Sequence, residues 1–133
     1  MAKAERKLVE LRRGYPLTVK ESSRLIANLA YSGLKNYSPY FVELLVAGVD
    51  SNGSHVYSAD MSGAITQEDF ASSGSGSPIA YGVLESGYNP NITREDAKTL
   101  ASKAVAAAIE RDPGSGNGVD VLEIPALVMK EVR

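Results

Sequence analysis

The sequence predicts an α+β fold in which helices lie on the faces of a mainly antiparallel sheet. Three observations predict it. Helical periodicity opens the chain, a strand–turn–strand texture begins at Tyr40, and helical periodicity returns near Pro78 and Thr93 before a last strand-like run. A length of 133 residues suits one domain with its own core, so a single domain over residues 1–133 is expected.

Lys3 to Arg13 reads as a helix because Ala4, Leu8 and Leu11 recur at spacings of three and four among charged residues. Gly14 suits its C-terminal cap, and Pro16 forbids continuation. Thr18-Val19-Lys20-Glu21 is a capping box: the Thr18 hydroxyl and the Glu21 carboxylate satisfy orphan backbone donors. The helix it opens carries Val19, Ser22, Ile26 and Leu29 on one face, with Leu25 beside them, and should end near Gly33. Phe41 to Val49 is rich in strand formers and apolar on both faces, which predicts a central strand. Asp50-Ser51-Asn52-Gly53 carries the Asn-Gly turn signal, and His55 to Ala59 returns as an alternating strand with His55 exposed. Ala64 to Thr66 predicts a short third strand, and Phe70-Ala71 a fourth. Pro78 suits the first turn of a helix through Glu85. Thr93-Arg94-Glu95-Asp96 opens the longest helix, whose Ala97, Leu100, Ala101, Ala104, Val105, Ala108 and Ile109 form a stripe of mostly small side chains. A glycine-rich loop from Asp112 to Gly118 leads to a further strand, Val119 to Ile124.

Composition removes several function classes. With 14 basic and 16 acidic residues the net charge is −2, not the basic excess of a nucleic-acid or anionic-membrane binder. Seven tyrosines show no basic interleaving suited to base stacking. There is no cysteine, which excludes disulfides, thiolate nucleophiles and Cys-ligated metals and is compatible with the cytosol. His55 is the only histidine, so a His-based metal site or a two-histidine relay is excluded, and no cofactor is expected. The N-terminus has no signal-peptide core, and the longest apolar stretch, Tyr40 to Val49, is too short to span a bilayer, so a soluble protein is expected.

Two loops stand out. Gly74-Ser75-Gly76-Ser77-Pro78 leads from strand to helix, where it can present backbone N–H groups and hydroxyls to a reacting carbonyl or an anion. The structural alternative is that its glycines only permit a tight turn. It matches neither a P-loop nor a G-x-S-x-G elbow. In Asp112-Pro113-Gly114-Ser115-Gly116 a carboxylate stands three residues before a serine, a spacing that lets it bond that hydroxyl and the loop backbone. Asp112 at a helix C-terminus opposes the dipole and needs a local partner: Arg111, a capping contact or a site. Asp50-Ser51-Asn52-Gly53 lacks the remaining ligands of a calcium loop.

Four segments together resemble archaeal-type proteasome β subunits in order and spacing: Tyr40 to Asp50, His55 to Asp60, Gly74 to Glu85, and Arg111-Asp112 with Ser115-Gly116. The resemblance runs from about Lys3 to Ile124. The Gly-Ser-Gly-Ser run continuing into Tyr81-Gly82-Val83-Leu84-Glu85 marks β rather than α subunits, and differs from the bacterial two-component relative. It implies an N-terminal-nucleophile hydrolase fold, an α-β-β-α sandwich truncated here at the N-terminus. It also implies seven-membered β rings stacked between α rings, and a cytoplasmic chamber that degrades unfolded polypeptides. Neither nucleic acid nor membrane is implied as a partner. In that family a threonine, freed after a glycine, is the nucleophile; its amine and a lysine handle protons, and an aspartate orients the lysine. By resemblance Ser75 matches the serine beside the nucleophile, Asp112 and Ser115 match the supporting pair that bonds the threonine and its amine, and Asp60 matches the acidic border of a substrate pocket. A hydroxyl nucleophile needs such oriented partners.

The departures shape the expectation. The family's threonine, orienting aspartate, lysine and oxyanion-hole glycine lie before the first helix, and this sequence starts within that helix, as expected of a fragment of a longer subunit. No Gly-Thr dipeptide is present, so Thr18, Thr66, Thr93 and Thr99 read as cap, strand or helix residues. Pro113-Gly114 replaces the usual serine-alanine filling. The chain is therefore expected to be inactive alone. The alternatives are a structural, non-catalytic β-type ring subunit and, further off, an unrelated α+β binding module.

Overall fold

The computed structural model describes residues 2–34, 43–60 and 62–125. They form two compact units, the first over residues 1–69 together with 124 onward and the second over 70–123. The first holds helices α1 (Ala2–Arg13) and α2 (Val19–Leu34) and strands β1 (Leu44–Asp50), β2 (Gly53–Ala59) and β3 (Ile65–Glu68). The second holds helices α3 (Ser77–Gly87) and α4 (Arg94–Arg111). Positions 41 and 42 of the expected first strand lie outside the described residues.

In the first unit α2 begins where the capping box predicts. Thr18 N–H donates to Glu21 Oε2 at 2.9 Å, and Glu21 N–H donates to Thr18 Oγ1 at 3.1 Å. Gly14 takes a φ of +78°, a cap conformation that glycine adopts without strain. The helix packs across all three strands, while α1 packs on α2 alone among the described elements. The buried face of α2 is turned from the expected stripe. Val19, Ser22, Ser23 and Ala27 are buried, whereas Leu25, Ile26 and Leu29 are half-buried. Small side chains carry the contact because Ser23, fully buried, returns its hydroxyl to the Val19 carbonyl at 2.8 Å. Gly48 on β1 completes the close approach: a Cβ there would stand 3.0 Å from Val19 Cγ2. On α1, Leu8 and Leu11 are exposed rather than packed.

The sheet runs β1-β2-β3, antiparallel throughout, with Val46 opposite Tyr57 and Ser58 opposite Thr66. Among the described residues β2, carrying buried Tyr57 and Ala59, lies between β1 and β3, and β1, expected as a central strand, pairs with β2 alone. The hairpin closes through Ser51 and Asn52, and Gly53, at φ +111°, follows them as the first residue of β2. The Asn-Gly pair is thus displaced by one position from the centre of the turn. Asp50 governs this corner. Its Oδ2 accepts from Val19 N–H at 2.9 Å, and its Oδ1 accepts from Asn52 N–H at 2.8 Å and from His55 Nε2 at 3.1 Å. His55 is half-buried against Asp50, not exposed. The Val19 N–H first, with Asn52 and His55 adding to it, holds the Asp50 carboxyl below its ordinary value.

In the second unit α3 packs on α4 through Ala80, Ala104 and Ala108, all buried, while Ala101 and Val105 of the expected stripe are exposed. Thr93 caps α4, its Oγ1 accepting from Asp96 N–H at 3.1 Å. Two expected strands do not form. Phe70 joins an aromatic cluster instead of a ladder, its ring centroid 5.0 Å from Tyr88 and 6.3 Å from Tyr81. Residues 119–124 have no ladder partner among the described residues, and a lone strand has no stability of its own. Glu123 is drawn onto α4 by Arg94 at 2.9 Å and Lys98 at 3.2 Å. Among the described residues no helix is long and apolar enough to cross a membrane.

Two outcomes test this account. Thr18→Ala should cost about 1 kcal/mol in chemical denaturation, the usual effect of losing an N-cap hydroxyl. Because the Asp50 carboxyl is held low, its contribution is complete above the ordinary value of 3.8 and is lost as the pH falls through the lower folded value. Asp50→Asn should therefore be less stable at neutral pH and show a flatter stability profile between roughly pH 5 and 2; equal slopes for the two proteins would contradict the assignment.

Candidate functional site

The second unit brings three sequence-predicted residues onto one oxygen atom. Ser75 lies in the turn before α3, and Asp112 is the C-terminal cap of α4, its N–H returning to the Ala108 carbonyl at 2.8 Å. Ser115 follows in the next turn, its N–H on the Asp112 carbonyl at 3.1 Å. The Ser75 hydroxyl donates to Asp112 Oδ2 at 2.6 Å, and the Ser115 hydroxyl donates to the same Oδ2 at 2.7 Å. Gly114 N–H donates to Oδ1 at 3.2 Å. Of the partners left open for Asp112, capping geometry and a polar cluster are both present, and Arg111 is not among its hydrogen-bond or ion-pair partners.

The electrostatics follow from these donors. The helix C-terminus disfavours a negative charge here. Against it, the Ser115 hydroxyl first, then the Ser75 hydroxyl and the Gly114 N–H, hold the Asp112 carboxyl below the usual aspartate range. Asp112 is therefore an anion at neutral pH. Each serine has spent its only proton on that anion and retains acceptor capacity alone. The cluster opens on a cleft of about 320 Å³ lined in part by Ser75, Ala80, Ala108, Ile109 and Ser115. Such a site accepts hydrogen bonds from a cationic donor such as an ammonium group. It is unsuited to the anion or oxyanion that the Gly74–Ser77 loop could have served with a free hydroxyl. The Gly76 carbonyl takes the N–H groups of Ile79 and Ala80, and the Gly74 carbonyl takes that of Ser77, so these groups close the first turn of α3.

Two further residues, Gly76 and Gly114, shape the cluster in a way that no motif marks. Gly76 is buried with a φ of −85°, which any residue adopts, yet a Cβ there would stand 2.8 Å from Ser115 Oγ and 2.9 Å from Ala108 Cβ. Gly114 reciprocates: a Cβ there would stand 2.8 Å from Ser75 Oγ. Each glycine neighbours one serine and makes room for the other. The signal was the Ser-Gly and Gly-Ser dipeptides themselves, but only the pairing of the two loops gives it meaning.

Asp60 lies in the first unit, in the turn between β2 and β3. Its Oδ1 accepts from the Ser62 hydroxyl at 2.6 Å and from the N–H groups of Ser62 at 2.9 Å and Ala64 at 3.3 Å. The Ser62 hydroxyl, followed by these N–H groups, holds its carboxyl below the ordinary value, so Asp60 is an exposed, fixed negative charge. No cluster of three or more His, Cys, Asp or Glu suited to a metal ion occurs among the described residues.

The fold is that of a known family. The family model described as "Proteasome subunit" matches residues 1–124. Similar curated proteins are the proteasome subunit beta of Methanoregula boonei, 47% identical over 118 residues covering 88% of this chain and 54% of the relative; that of Archaeoglobus profundus, 47% identical over 121 residues covering 90% and 55%; and that of Methanopyrus kandleri, 40% identical over 124 residues covering 93% and 59%. The chain belongs to the proteasome subunit family. It spans between half and three-fifths of the length of these relatives.

The packing argument predicts different fates for two glycines of the cluster. Gly76→Ala should destabilise by about 1–3 kcal/mol, the usual cost of overpacking. Gly116→Ala, where a Cβ meets nothing within 4 Å, should stay within about 0.5 kcal/mol of the parent. Denaturant unfolding of both variants checks the contrast.

Proposed function

We propose that this chain serves as a β-type subunit of the proteasome core particle, whose threonine-type peptide hydrolysis degrades unfolded polypeptides in the cytoplasm. Its 133 residues form part of one β-type domain, and its partners are α and β subunits in stacked seven-membered rings. One observation supports the site assignment above the others: two hydroxyls converge on one ionised carboxylate, leaving a cluster that only accepts hydrogen bonds. The amine of an N-terminal nucleophile is a donor of the matching kind. Asp112 and the lone pairs of Ser75 and Ser115 hold that amine in place by its N–H groups; once its extra proton has passed to solvent, the neutral amine takes the proton of the adjacent reacting hydroxyl. Asp60, a fixed anion on an exposed turn, borders a pocket for a basic or polar substrate side chain. No cofactor takes part in this reading.

The described threonines are engaged elsewhere in the fold. Thr18 and Thr93 cap helices, and Thr99 donates its hydroxyl to the Glu95 carbonyl at 3.1 Å. Thr66 lies in β3, paired with Ser58. None follows a glycine. The Pro113-Gly114 departure in the Asp112 loop favours a second reading, a ring subunit that builds the chamber without catalysing.

Purified alone, the chain should not hydrolyse fluorogenic peptides; turnover abolished by Ser75→Ala would contradict this. Co-expressed with an archaeal α-type subunit, it should enter high-mass ring assemblies on native mass spectrometry. Migration as a free chain beside completed α rings would count against the subunit assignment.

A further inference from the structure

We propose that Asn117, in the loop after α4, is a site of spontaneous rearrangement that turns its amide into a carboxylate at the rim of the Asp112 cleft. The inference goes beyond the subunit reading, and its chemistry needs neither a nucleophilic threonine nor a partner chain.

The sequence holds two Asn-Gly pairs, Asn52-Gly53 and Asn117-Gly118. In such a pair the glycine nitrogen reaches Asn Cγ without a side chain of its own residue in the way. That nitrogen loses its proton to solvent base and bonds Cγ. The Cγ–Nδ2 bond breaks, and ammonia leaves with a proton taken from water. Water then opens the five-membered imide: hydroxide adds to a carbonyl carbon, and the glycine nitrogen takes back a proton. Addition at Cγ gives aspartate, and addition at the main-chain carbonyl carbon gives isoaspartate. Water is the only co-reactant, and nothing is oxidised or reduced.

The two pairs are alike in local chemistry and unequal in restraint. Both asparagines are exposed. Gly53 opens β2 in register with Asp50, and the Asn52 N–H is held on Asp50 Oδ1 at 2.8 Å. Turning the Asn52–Gly53 peptide toward Cγ disturbs both contacts. The other loop has no such ties. Its last backbone bond runs from the Ser115 N–H to the Asp112 carbonyl, and among the described residues neither Asn117 nor Gly118 makes a hydrogen bond. A Cβ at Gly116 or Gly118 would meet nothing within 4 Å, so open space flanks the asparagine. Asn117 is also the one described non-glycine residue with a positive φ, +68°, a conformation that side-chain-bearing residues leave readily. Rotation there breaks no bond and relieves strain.

Placement gives the reaction a consequence. Gly116 and Gly118, on either side of Asn117, line the cleft together with Ser75 and Ser115. A carboxylate at 117 sets a second negative charge near Asp112, which favours a bound cation and disfavours ionisation of Asp112.

Incubating the folded full chain in mildly alkaline oxygen-18 water, followed by peptide mass spectrometry, tests this. Label should enter at Asn117 about ten-fold or more faster than at Asn52, whose protection includes a hydrogen bond to a charged group. In concentrated urea the two rates should converge. Equal rates in the folded chain, faster labelling at Asn52, or a difference that persists in urea would overturn the proposal. Asn117→Asp, standing in for the product, should raise the Asp112 midpoint in a carbon-13 NMR titration; an unmoved midpoint would refute the placement of the charge at the cleft. Failure of ring assembly would sink the subunit reading and leave these results untouched.

Discussion

One carboxylate oxygen, Asp112 Oδ2, sets the terms for the second compact unit. Two hydroxyls, one 37 residues before it in sequence and one three residues after, must reach it together. That convergence requires α3 to start close to the end of α4, and Gly76 to clear the approach. Ala108, buried beneath Gly76, extends the same demand one turn back along α4. Small residues there are the price of a polar focus at a helix terminus, where the backbone alone would repel a negative charge. The hydroxyl protons and the Gly114 N–H counter that repulsion.

Asp50 plays a parallel structural part in the first unit. It binds the first N–H of α2 and the hairpin turn, so a strand end and a helix start are fixed by one side chain. The two aspartates differ in what surrounds them. Asp50 is enclosed by backbone donors and a histidine, which leaves it a structural corner. Asp112 shares its donors with a cleft, and the proposed role in orienting an amine follows from that exposure.

Local chemistry was legible in the sequence wherever donor and acceptor lie within one turn. The Thr18–Glu21 capping box, the Thr93 cap and the Gly14 stop are all present as their residue types require. Asp112 reaching Ser115 is likewise a matter of three residues. What could not be read depends on distant partners. The edge position of β1, the burial of Ser23 in place of larger neighbours, and the seat of His55 on Asp50 each follow from how α2 lies on the sheet. Phe70 has the propensity of a strand residue, but two tyrosines claim it. Residues 119–124 alternate like a strand and find no ladder among the described residues. Gly76 and Gly114 look like turn residues until the opposing hydroxyl is in place.

Ionisation of the shared carboxylate is what makes the cluster an acceptor-only site. Its most direct measurement is the titration midpoint of the Asp112 carboxyl in the unmodified chain. Two hydroxyl donors on Oδ2 predict a midpoint below the ordinary 3.8, with Asp112 fully ionised at neutral pH. A midpoint at or above that value would mean that the hydroxyl protons point elsewhere, and the acceptor-only site would be contradicted.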